Sequence, residues 1–467
     1  MKIEQIYTGC LAQGAYYIES EGEVAIIDPL REVQQYIDRA TKDNAKIKYI
    51  FETHFHADFV SGHLTLSQKT GAEIVYGPTA KPAFKAHIAT DGEVFKIGKL
   101  SIIALHTPGH TMESTTYLLK DENGKDYAIF SGDTLFLGDV GRPDLAQKAA
   151  NMTQEELAAT LYHSLRTKIM PLADDVIVYP AHGAGSACGK NLSKETVGTL
   201  GEQKKTNYAL RADMTVEEFV QEVTDGLLPP PAYFPENVRL NKEGYESIET
   251  IIEKNKAFTP VEFKEAADEA LILDVRDADS FGKGHIPGSI FIGVDGGFAP
   301  WVGALITDIN QPIVLVTPEG REQETITRLS RVGYDNTLGY LANGIEAWKA
   351  AGFETDAIER ISAETLADKI NAGEKNVFDV RKPGEYNSSH IENVPNSPLD
   401  FLNDHINDFP ATETTYLHCA GGYRSMIAAS ILKARGFHNM IDVIGGFGAI
   451  KNTNLPLVES VCPSTLK

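Results

Sequence analysis

The chain has 467 residues, and at about 150 residues per domain this length predicts about three units. Hydrophobic residues make up 42% of it, which is typical of a globular protein, and no apolar run approaches the ~18 residues that span a bilayer. The formal charge of −22 is spread along the chain and argues against nucleic acid and anionic membranes as partners.

The N-terminal stretch is MKIEQIYTGCLAQGAYYIES, with no basic segment followed by an apolar run and a cleavage site. We interpret it as a first strand rather than a signal peptide, and we expect a cytoplasmic protein. The spacing of the cysteines suits neither a disulfide framework nor a zinc site, which leaves a reactive thiol open. The four cysteines are Cys10, Cys188, Cys419 and Cys462.

Short apolar runs alternate with polar or helical stretches over the first 213 residues. The runs are EVAIID, IKYIFET, LSIIAL, DYAIFSGD and DVIVYPAH. This pattern predicts an α/β unit of strands with covering helices. A predicted helix, TVEEFVQEV, is followed by DGLLPPPAYFPENVRLNKEGY, whose prolines cannot continue a helix, and we predict an ordered connector there.

Candidate metal ligands follow three of these predicted strands. THFHADFVSGH, residues 53–63, comes after IKYIFET, while His110 follows LSIIAL and Asp133 follows DYAIF. Loops that leave one edge of a sheet converge, so we expect these side chains to meet. The alternative is a set of solvated loop histidines.

Four motifs, THFHADFVSGH, TPGHT, SGDTLF and YPAHGAG, together resemble the metallo-β-lactamase fold over residues 1–245. The resemblance implies an αββα sandwich. In two-metal members of the fold, the Asp and final His of the first motif bind the second metal with a later histidine, here His182. Phe59 stands where that final His belongs, and this disfavours a two-zinc hydrolase.

His54, His110 and Asp133 remain as two histidines and one carboxylate, a set that suits a single ferrous iron with positions left for substrate and dioxygen. Within the fold this pattern resembles the persulfide dioxygenases. The resemblance implies that further residues orient ligands or move protons. These are His56, which is a direct ligand in hydrolases of the fold, Asp58, Tyr179 and His182.

Two more residues of this region have alternatives that the sequence leaves open. Arg142, in GDVGRPDL, is placed by the resemblance against the acidic part of a thiol carrier, and the alternative is a surface salt bridge. Cys188, in YPAHGAGSACGKNLS, either receives sulfur or is a packed thiol.

The rest of the chain contains a weak repeat. LILDVRDADSFGKGHIPGS, residues 271–289, recurs as VFDVRKPGEYNSSHIENVPNS, residues 377–397. Each copy continues with an apolar strand, a helix, another strand and a glycine-rich turn. We therefore predict two further α/β domains, residues 246–356 and 357–467.

The last copy contains HCAGGYRS, in which a cysteine directly follows an apolar strand and precedes a helix. Glycines allow backbone N–H groups to surround the sulfur, and the helix N-terminus and Arg424 favour an anion there, so we predict a thiolate at Cys419. The six-residue spacing resembles the rhodanese sulfurtransferases. The resemblance implies that Cys419 and Arg424 are catalytic and that four neighbours bind substrate, namely Gly421, Gly422, Tyr423 and Ser425.

The middle copy has VTPEGREQE at the same place, with Thr317 instead of the cysteine. A threonine hydroxyl cannot carry a transferable sulfur, and Glu319 and Glu322 would oppose an anion. We predict an inactive domain that acts as a spacer, with ligand binding as the alternative.

The order of the three domains resembles the fused persulfide dioxygenase and sulfurtransferase proteins of bacterial sulfide oxidation. The resemblance implies oxidation of a small-thiol persulfide to sulfite by dioxygen, and transfer of sulfane sulfur from Cys419 to sulfite, which gives thiosulfate. The thiol carrier, such as glutathione or coenzyme A, stays open, and we expect a homo-oligomer. The alternatives are a zinc thiol-ester hydrolase fused to a rhodanese and a non-enzymatic sulfur carrier.

Overall fold

A computed structural model of the protein describes residues 1–190 and 192–459, so Cys462 lies outside the described residues. The chain forms two compact units, Met1–Ile248 with Ser330–Gly333, and Glu249–Leu329 with the chain from Tyr334 onward. The second unit contains both copies of the repeat. The predicted domain boundaries stay predictions.

The first unit has two six-stranded sheets. In the first sheet the strands lie in sequence order: β1 (Lys2–Thr8), β2 (Gln13–Ser20), β3 (Glu23–Ile27), β4 (Lys46–Phe51), β5 (Glu73–Tyr76) and β6 (His87–Ile88). The second sheet contains β7 (Val94–Ile97), β8 (Leu100–His106), β9 (Thr115–Lys120), β10 (Asp126–Gly132), β11 (Ile177–Pro180) and β12 (Gly198–Thr199). Every strand predicted from an apolar run in this unit is present.

Strand β2 shows how the sequence fills both faces of its sheet. Side chains of a strand alternate between faces, and here both alternating sets are apolar. Tyr16 and Ile18 belong to the core between the sheets, whereas Ala15 and Tyr17 belong to the core outside the first sheet. The helices cover the two outer faces, so the predicted αββα sandwich is confirmed.

The helices of this unit are α1 (Gln34–Lys42), α2 (His63–Thr70), α3 (Gln147–Ala150), α4 (Gln154–Ser164), α5 (Leu200–Thr206), α6 (Val216–Thr224) and α7 (Phe234–Glu243). A π-helical turn, Leu165–Ile169, extends α4, and a 3-10 turn, Tyr208–Leu210, follows α5. Within the described residues, no helix has both the length and the apolar composition needed to cross a membrane.

The proline-rich connector is ordered, but it contains a helix that the sequence interpretation did not separate from it. Helix α6 ends at Thr224, before the prolines, as expected. Helix α7 then begins at Phe234 with Pro235 in its first turn, where a missing N–H costs no hydrogen bond. This helix matters for the site described below.

Helix α8 (Ile248–Lys254) starts at the last residue of the first unit, and the second unit has a separate sheet for each copy. The middle copy contains β13 (Lys256–Phe258), α9 (Pro260–Ala267), β14 (Leu271–Asp274), α10 (Ala278–Lys283), β15 (Ile290–Phe291), α11 (Phe298–Leu305), β16 (Ile313–Val316), α12 (Glu322–Arg331), β17 (Thr337–Leu341) and α13 (Gly344–Ala350). Its five-stranded parallel sheet has the order β13-β17-β16-β14-β15.

The last copy repeats this plan. It contains β18 (Glu359–Ile361), α14 (Ala363–Asn371), β19 (Val377–Asp379), α15 (Pro383–Ser388), β20 (Ser389–Ile391), β21 (Thr415–His418), α16 (Tyr423–Ala434), β22 (Met440–Val443), α17 (Gly446–Ile450) and β23 (Leu457–Glu459), with 3-10 turns at Leu399–Phe401 and Ile406–Asp408. The sheet order β18-β22-β21-β19 matches that of the first four strands in the middle copy. The two predicted α/β copies are therefore confirmed as folds.

The repeated Asp-x-Arg and His-Ile motifs have the same structural role in both copies. The arginine donates to the aspartate two residues before it, at 2.6 Å, in the pairs Arg276–Asp274 and Arg381–Asp379. The histidine stacks on an aromatic ring four residues earlier, with centroids 4.0 Å apart for His285 on Phe281 and 3.8 Å apart for His390 on Tyr386. The repeat therefore describes a scaffold, and it does not by itself indicate chemistry.

Candidate functional site

The loops after β4, β8 and β10 converge and bring together the three predicted metal ligands, His54, His110 and Asp133. Their ligand atoms all lie within 4.8 Å of one another, and all three residues are buried. Oδ2 of Asp133 lies 3.8 Å from Nε2 of His54 and 3.4 Å from Nε2 of His110. This spacing leaves room for an ion among the three side chains.

The outer ring nitrogen of each histidine is held by a hydrogen bond. Nδ1 of His110 lies 2.9 Å from the carbonyl oxygen of Arg142, and because a carbonyl only accepts, Nδ1 carries the proton. Nδ1 of His54 contacts the hydroxyl of Thr53 at 3.0 Å, and that hydroxyl donates to Asp28 at 2.8 Å. Both Nε2 atoms are therefore free to bind a metal.

Charge and hydrogen bonding at this group also fit a cation. Burial, followed by the neighbouring histidines, keeps the pKa of His54 well below its ordinary value, so the ring is neutral, as a ligand must be. Neither carboxylate oxygen of Asp133 accepts a conventional hydrogen bond, although both are buried. A buried carboxylate without partners is costly, and a bound cation would remove that cost.

Three further predicted residues of the centre form a second, adjoining group. His56, Asp58 and His182 also offer ligand atoms within 4.8 Å of one another. Nε2 of His182 lies 3.5 Å both from Oδ2 of Asp58 and from Oδ1 of Asp133, so Asp133 faces both groups. The sequence interpretation had placed all three residues around the iron, as groups that orient ligands or move protons. Toward a second metal it had counted only Asp58, His182 and the shared Asp133, and the structure brings His56 close to the first two.

His56 is held from behind by two buried carboxylates. Its Nε2 lies 3.1 Å from Oδ1 of Asp28 and 3.5 Å from Oε2 of Glu52, so Nδ1 is the atom left for a ligand or proton-transfer role. Burial, the largest influence, lowers the pKa of His56, but Asp28, Glu52 and Asp58 together outweigh it and raise the pKa to about 9. In the metal-free protein this ring is therefore a cation, a form that does not bind metal.

Phe59 supplies no donor to the second group. Its side chain is fully buried, and its ring packs on the ring of His56 with centroids 4.4 Å apart. The position that would hold a ligand in the two-metal motif therefore contributes packing to a neighbouring histidine.

Asn241, on helix α7, braces this loop and was missed by the sequence interpretation. Its amide donates to the carbonyl oxygens of His56 and Phe59, each at 2.8 Å, and its side-chain oxygen accepts from the backbone N–H of Ser61 at 2.8 Å. The side chain is buried. The only available signal was a polar residue on a helix after a proline cluster, which is too weak to identify the contact.

The side chain of Arg142 is already engaged by other groups of the protein. Four of the five N–H donors of Arg142 are used inside the protein, two of them by Asp144 at 2.7 and 2.8 Å, and the others by backbone carbonyl oxygens. A thiol carrier would have to compete with Asp144 for this side chain, so the contact between Arg142 and a thiol carrier stays a prediction.

Tyr179 lies in the core between the sheets. Its ring stacks on that of Phe130 with centroids 5.2 Å apart, and its predicted role in orienting ligands or moving protons stays a prediction.

Cys188 lies beside the centre. Its sulfur is within 4.8 Å of ligand atoms of Asp133 and His182. Burial, and then the carboxylates of Asp58 and Asp133, raise the pKa of this thiol well above its ordinary value. Cys188 is therefore a neutral thiol in the metal-free protein, which favours the packed-thiol alternative over a nucleophile.

The segment of residues 419–425, called the cysteine loop below, runs from the end of β21 into the first turn of α16, as predicted. The backbone N–H of Gly422 donates to Sγ of Cys419 at 3.1 Å, and Oγ of Ser425 lies 3.5 Å from the same sulfur. Gly422 has a φ of 99°, which favours glycine, and this turn directs the N–H inward. The start of α16 adds the positive end of a helix dipole.

Arg424 does not approach the sulfur as a free cation. It makes a bidentate pair with Glu385, at 2.6 and 2.8 Å, and hydrogen bonding by Arg424 lowers the pKa of Glu385. The sequence interpretation missed Glu385, because nothing in HCAGGYRS indicates a partner from another helix. The pair fixes the orientation of the guanidinium at the rim of the loop.

In the middle copy, residues 317–322 form the corresponding loop, called the threonine loop below, and the side chain of Glu322 folds into it. Glu322 stands where the cysteine loop has its arginine, and its Oε1 accepts from the N–H of Gly320 at 3.2 Å. The same oxygen lies 3.4 Å from the hydroxyl of Thr317. Gly320 corresponds to Gly422, whose N–H donates to the sulfur of Cys419. In the threonine loop the corresponding N–H already donates to a carboxylate.

Comparisons with known proteins agree with this division. The model of the metallo-beta-lactamase superfamily matches residues 8–182, and that of the rhodanese-like domain matches residues 259–351 and 362–453. Human mitochondrial persulfide dioxygenase ETHE1 is 30% identical over 45% of this chain and 74% of its own length. A cytoplasmic hydroxyacylglutathione hydrolase of Arabidopsis thaliana is 32% identical over 39% of this chain and 67% of its own length.

A solved structure is similar over a larger part of the chain. It is a metallo-beta-lactamase from Staphylococcus aureus subsp. aureus COL, with a TM-score of 0.64 and 30% identity. The match covers 73% of this chain and 99% of that chain, which is more than the first unit alone contains.

Proposed function

Because the chain belongs to the metallo-beta-lactamase superfamily and carries two rhodanese-like domains after that region, we propose a bifunctional enzyme that oxidises a small-thiol persulfide and transfers sulfane sulfur. The first reaction is RSSH + O₂ + H₂O → RSH + SO₃²⁻ + 2H⁺. The second joins sulfane sulfur to sulfite and gives thiosulfate. A persulfide dioxygenase among the similar proteins supports the first reaction.

The observation that carries the dioxygenase proposal is the buried group of two histidines and one carboxylate, next to a ligand position occupied by Phe59. Ferrous iron suits this donor set, and when bound it would supply the activation of dioxygen beside the sulfur. The contacts at Nδ1 leave Nε2 of both His54 and His110 free to bind a metal, and Asp133 offers a carboxylate. Burial of all three excludes bulk water.

The sulfurtransferase proposal rests on the geometry around Cys419. The thiolate attacks the outer sulfur of a donor RSSH, forms an S–S bond to it and displaces RS⁻. Sulfite then attacks that outer sulfur, thiosulfate and a proton leave, and Cys419 is again a thiolate. The N–H of Gly422, 3.1 Å from Sγ, stabilises the anion at both ends of this cycle.

Metal content tests the first reaction. Protein purified without oxygen should contain one iron per chain and should consume oxygen when a thiol persulfide is added. Two zinc ions per chain, with thiol-ester hydrolysis and no oxygen uptake, would contradict the proposal.

Product analysis tests the second reaction. Cys419→Ser preserves the size of the loop but removes the sulfur nucleophile, so oxygen uptake should persist while the product changes from thiosulfate to sulfite. Wild type and variant must be compared at equal iron content. Thiosulfate formation at the wild-type rate by the variant would show that Cys419 is not the transferring residue.

A zinc thiol-ester hydrolase is the second candidate, and a specific observation favours it. His56, Asp58 and His182 form a second group that shares Asp133 with the first, and a hydroxyacylglutathione hydrolase is among the similar proteins. Phe59 opposes this candidate, because it is buried at the position where the two-metal motif has a further histidine ligand. The metal measurement above separates the two candidates.

A further inference from the structure

The middle copy contacts the cysteine loop through Tyr423, a residue of that loop. The hydroxyl of Tyr423 donates to the carbonyl oxygen of Gly293 at 2.8 Å. Its ring meets the ring of Phe291 edge to face, with centroids 5.9 Å apart. The side chain of Tyr423 is thus inserted into the other copy.

A glycine of the middle copy makes room for this ring. A Cβ atom added at Gly296 would lie 2.2 Å from Cζ of Tyr423, closer than real Cβ contacts come, whereas one at Gly297 would meet Trp301 at an ordinary 3.4 Å. Gly296 is not among the glycines with positive φ, so its backbone does not require glycine. The absence of a side chain at this position is needed for the tyrosine ring.

A second line of contacts reaches the same loop from Asp279 of the middle copy. Asp279 pairs with Arg360, which donates to Oδ2 of Asp442 at 2.8 Å. Oδ1 of Asp442 accepts from Oγ of Ser425 at 2.5 Å, and that oxygen lies 3.5 Å from Sγ of Cys419. The loop is therefore contacted by the middle copy at Tyr423 and, through two intermediates, at Ser425.

We propose that the middle copy positions the cysteine loop, and that Tyr423 is a positioning residue seated over Gly296. The proposal rests on the proposed role of Cys419 in sulfur transfer and replaces the interpretation of the middle copy as a spacer. It also gives Tyr423 a role other than the substrate contact expected from the sequence.

The chemical reason lies in the order of residues in the loop. Tyr423 directly follows Gly422, whose N–H is 3.1 Å from Sγ of Cys419. A displacement of Tyr423 by about 1 Å would move that N–H beyond hydrogen-bond distance of the sulfur. Losing one hydrogen bond to a charged group corresponds to roughly 10- to 100-fold in rate.

The test uses the full-length protein and two adjacent glycines. Gly296→Ala should lower kcat for sulfur transfer from thiosulfate to cyanide roughly 10- to 100-fold, with KM changed less than about threefold. The matched control Gly297→Ala should stay near wild type. Equal losses in the two variants would overturn the proposal.

A double substitution separates positioning from general damage. In a Tyr423→Ala background the ring is absent, so adding Gly296→Ala should cost nothing further. If Gly296→Ala costs the same factor in both backgrounds, its effect does not pass through Tyr423 and the proposal fails. Should Gly296→Ala not fold, Tyr423→Phe removes only the hydrogen bond to Gly293, and an unchanged kcat would also count against the proposal.

The rate of Cys419 alkylation by iodoacetamide makes the result independent of the proposed reaction. It reports the nucleophile even if no sulfur acceptor is found. Alkylation that follows the same pattern across the variants, in a protein without sulfurtransferase turnover, would retain the positioning role and reject the proposed function. Sulfur transfer by the wild type, with no difference in rate among the variants, would retain the proposed function and reject the positioning role.

Discussion

Replacing Asn241 with alanine should loosen residues 56–61, called the metal loop below, while leaving the candidate ligands His54, His110 and Asp133 unchanged. The side chain makes three hydrogen bonds of 2.8 Å with the backbone of residues 56–61 and is 1% exposed. At about 1 kcal/mol for each bond, Asn241→Ala should lower the free energy of unfolding of the first unit by about 3 kcal/mol. For a unit of this size that corresponds to roughly 6 to 12 °C in Tm.

Calorimetry on metal-loaded and metal-free protein, together with metal analysis, would measure the effect. Metal content should fall with stability, because the braced segment follows His54 directly. Glu236→Ala on the same helix is the control, since its exposed ion pair with Arg239 should be worth less than about 0.5 kcal/mol. An Asn241→Ala protein with unchanged metal content, and with stability within 0.5 kcal/mol of wild type, would refute the reasoning.

Further substitutions test the two centres. Asp133→Ala should abolish metal binding, measured by elemental analysis, because a methyl group cannot replace the anionic ligand of the group; retained metal would move the site elsewhere. In a Cys419→Ser protein, Thr317→Cys should not restore sulfur transfer to cyanide, because the N–H of Gly320 already donates to Glu322. Activity should require Glu322→Arg as well, and turnover by Thr317→Cys alone would contradict this. The arginine partner lowers the pKa of Glu385 below 4.5, so that pair stabilises the fold above pH 4.5 and is lost as the pH falls through the lower folded value. Glu385→Gln should remove this acid-dependent loss, measured by denaturant unfolding between about pH 3 and 6, and an unchanged profile would count against it.

The grouping of the candidate metal ligands was predictable because it depends on strand pattern. Strands β4, β8 and β10 are apolar runs that end just before His54, His110 and Asp133. Loops from neighbouring strands of a sandwich meet at one edge, so the ends of the runs were enough to predict the group. The αββα layers follow from the same runs, because apolar residues on both faces of a strand require cover on both sides.

The partners that hold these residues were not predictable in the same way. Asn241 reaches the metal loop from a helix far along the chain, and Glu385 reaches Arg424 from another helix. A single buried amide or carboxylate on a helix has no periodic signal, because its partner is set by packing rather than by spacing. His56 shows the consequence, since its charge depends on Asp28 and Glu52, which no motif connects to it.

Tyr423 shows a second limit of motif reading. Its place in the loop suggested contact with substrate, which stays a prediction, and no motif indicated that its hydroxyl binds Gly293 in the other copy. Local sequence determines which residues belong to a loop, whereas neighbouring packing determines which way each side chain points. A role assigned by position within a motif therefore needs the tertiary contacts before it can be used to design a variant.

The two copies of the repeat separate scaffold from chemistry within one chain. Both keep the Asp-x-Arg pair and the stacked histidine, and both present a loop before a helix. They differ in what receives the inward N–H of the loop, which is Sγ of Cys419 in one copy and the carboxylate of Glu322 in the other. Thr317 in place of a cysteine is the reason why we predict no sulfur transfer by the middle copy, but it does not explain why its Gly296 leaves space for Tyr423. That space is explained if the middle copy positions the cysteine loop of the last copy. Gly296→Ala, rather than a substitution of Thr317 alone, is therefore the change in the middle copy that should alter sulfur transfer.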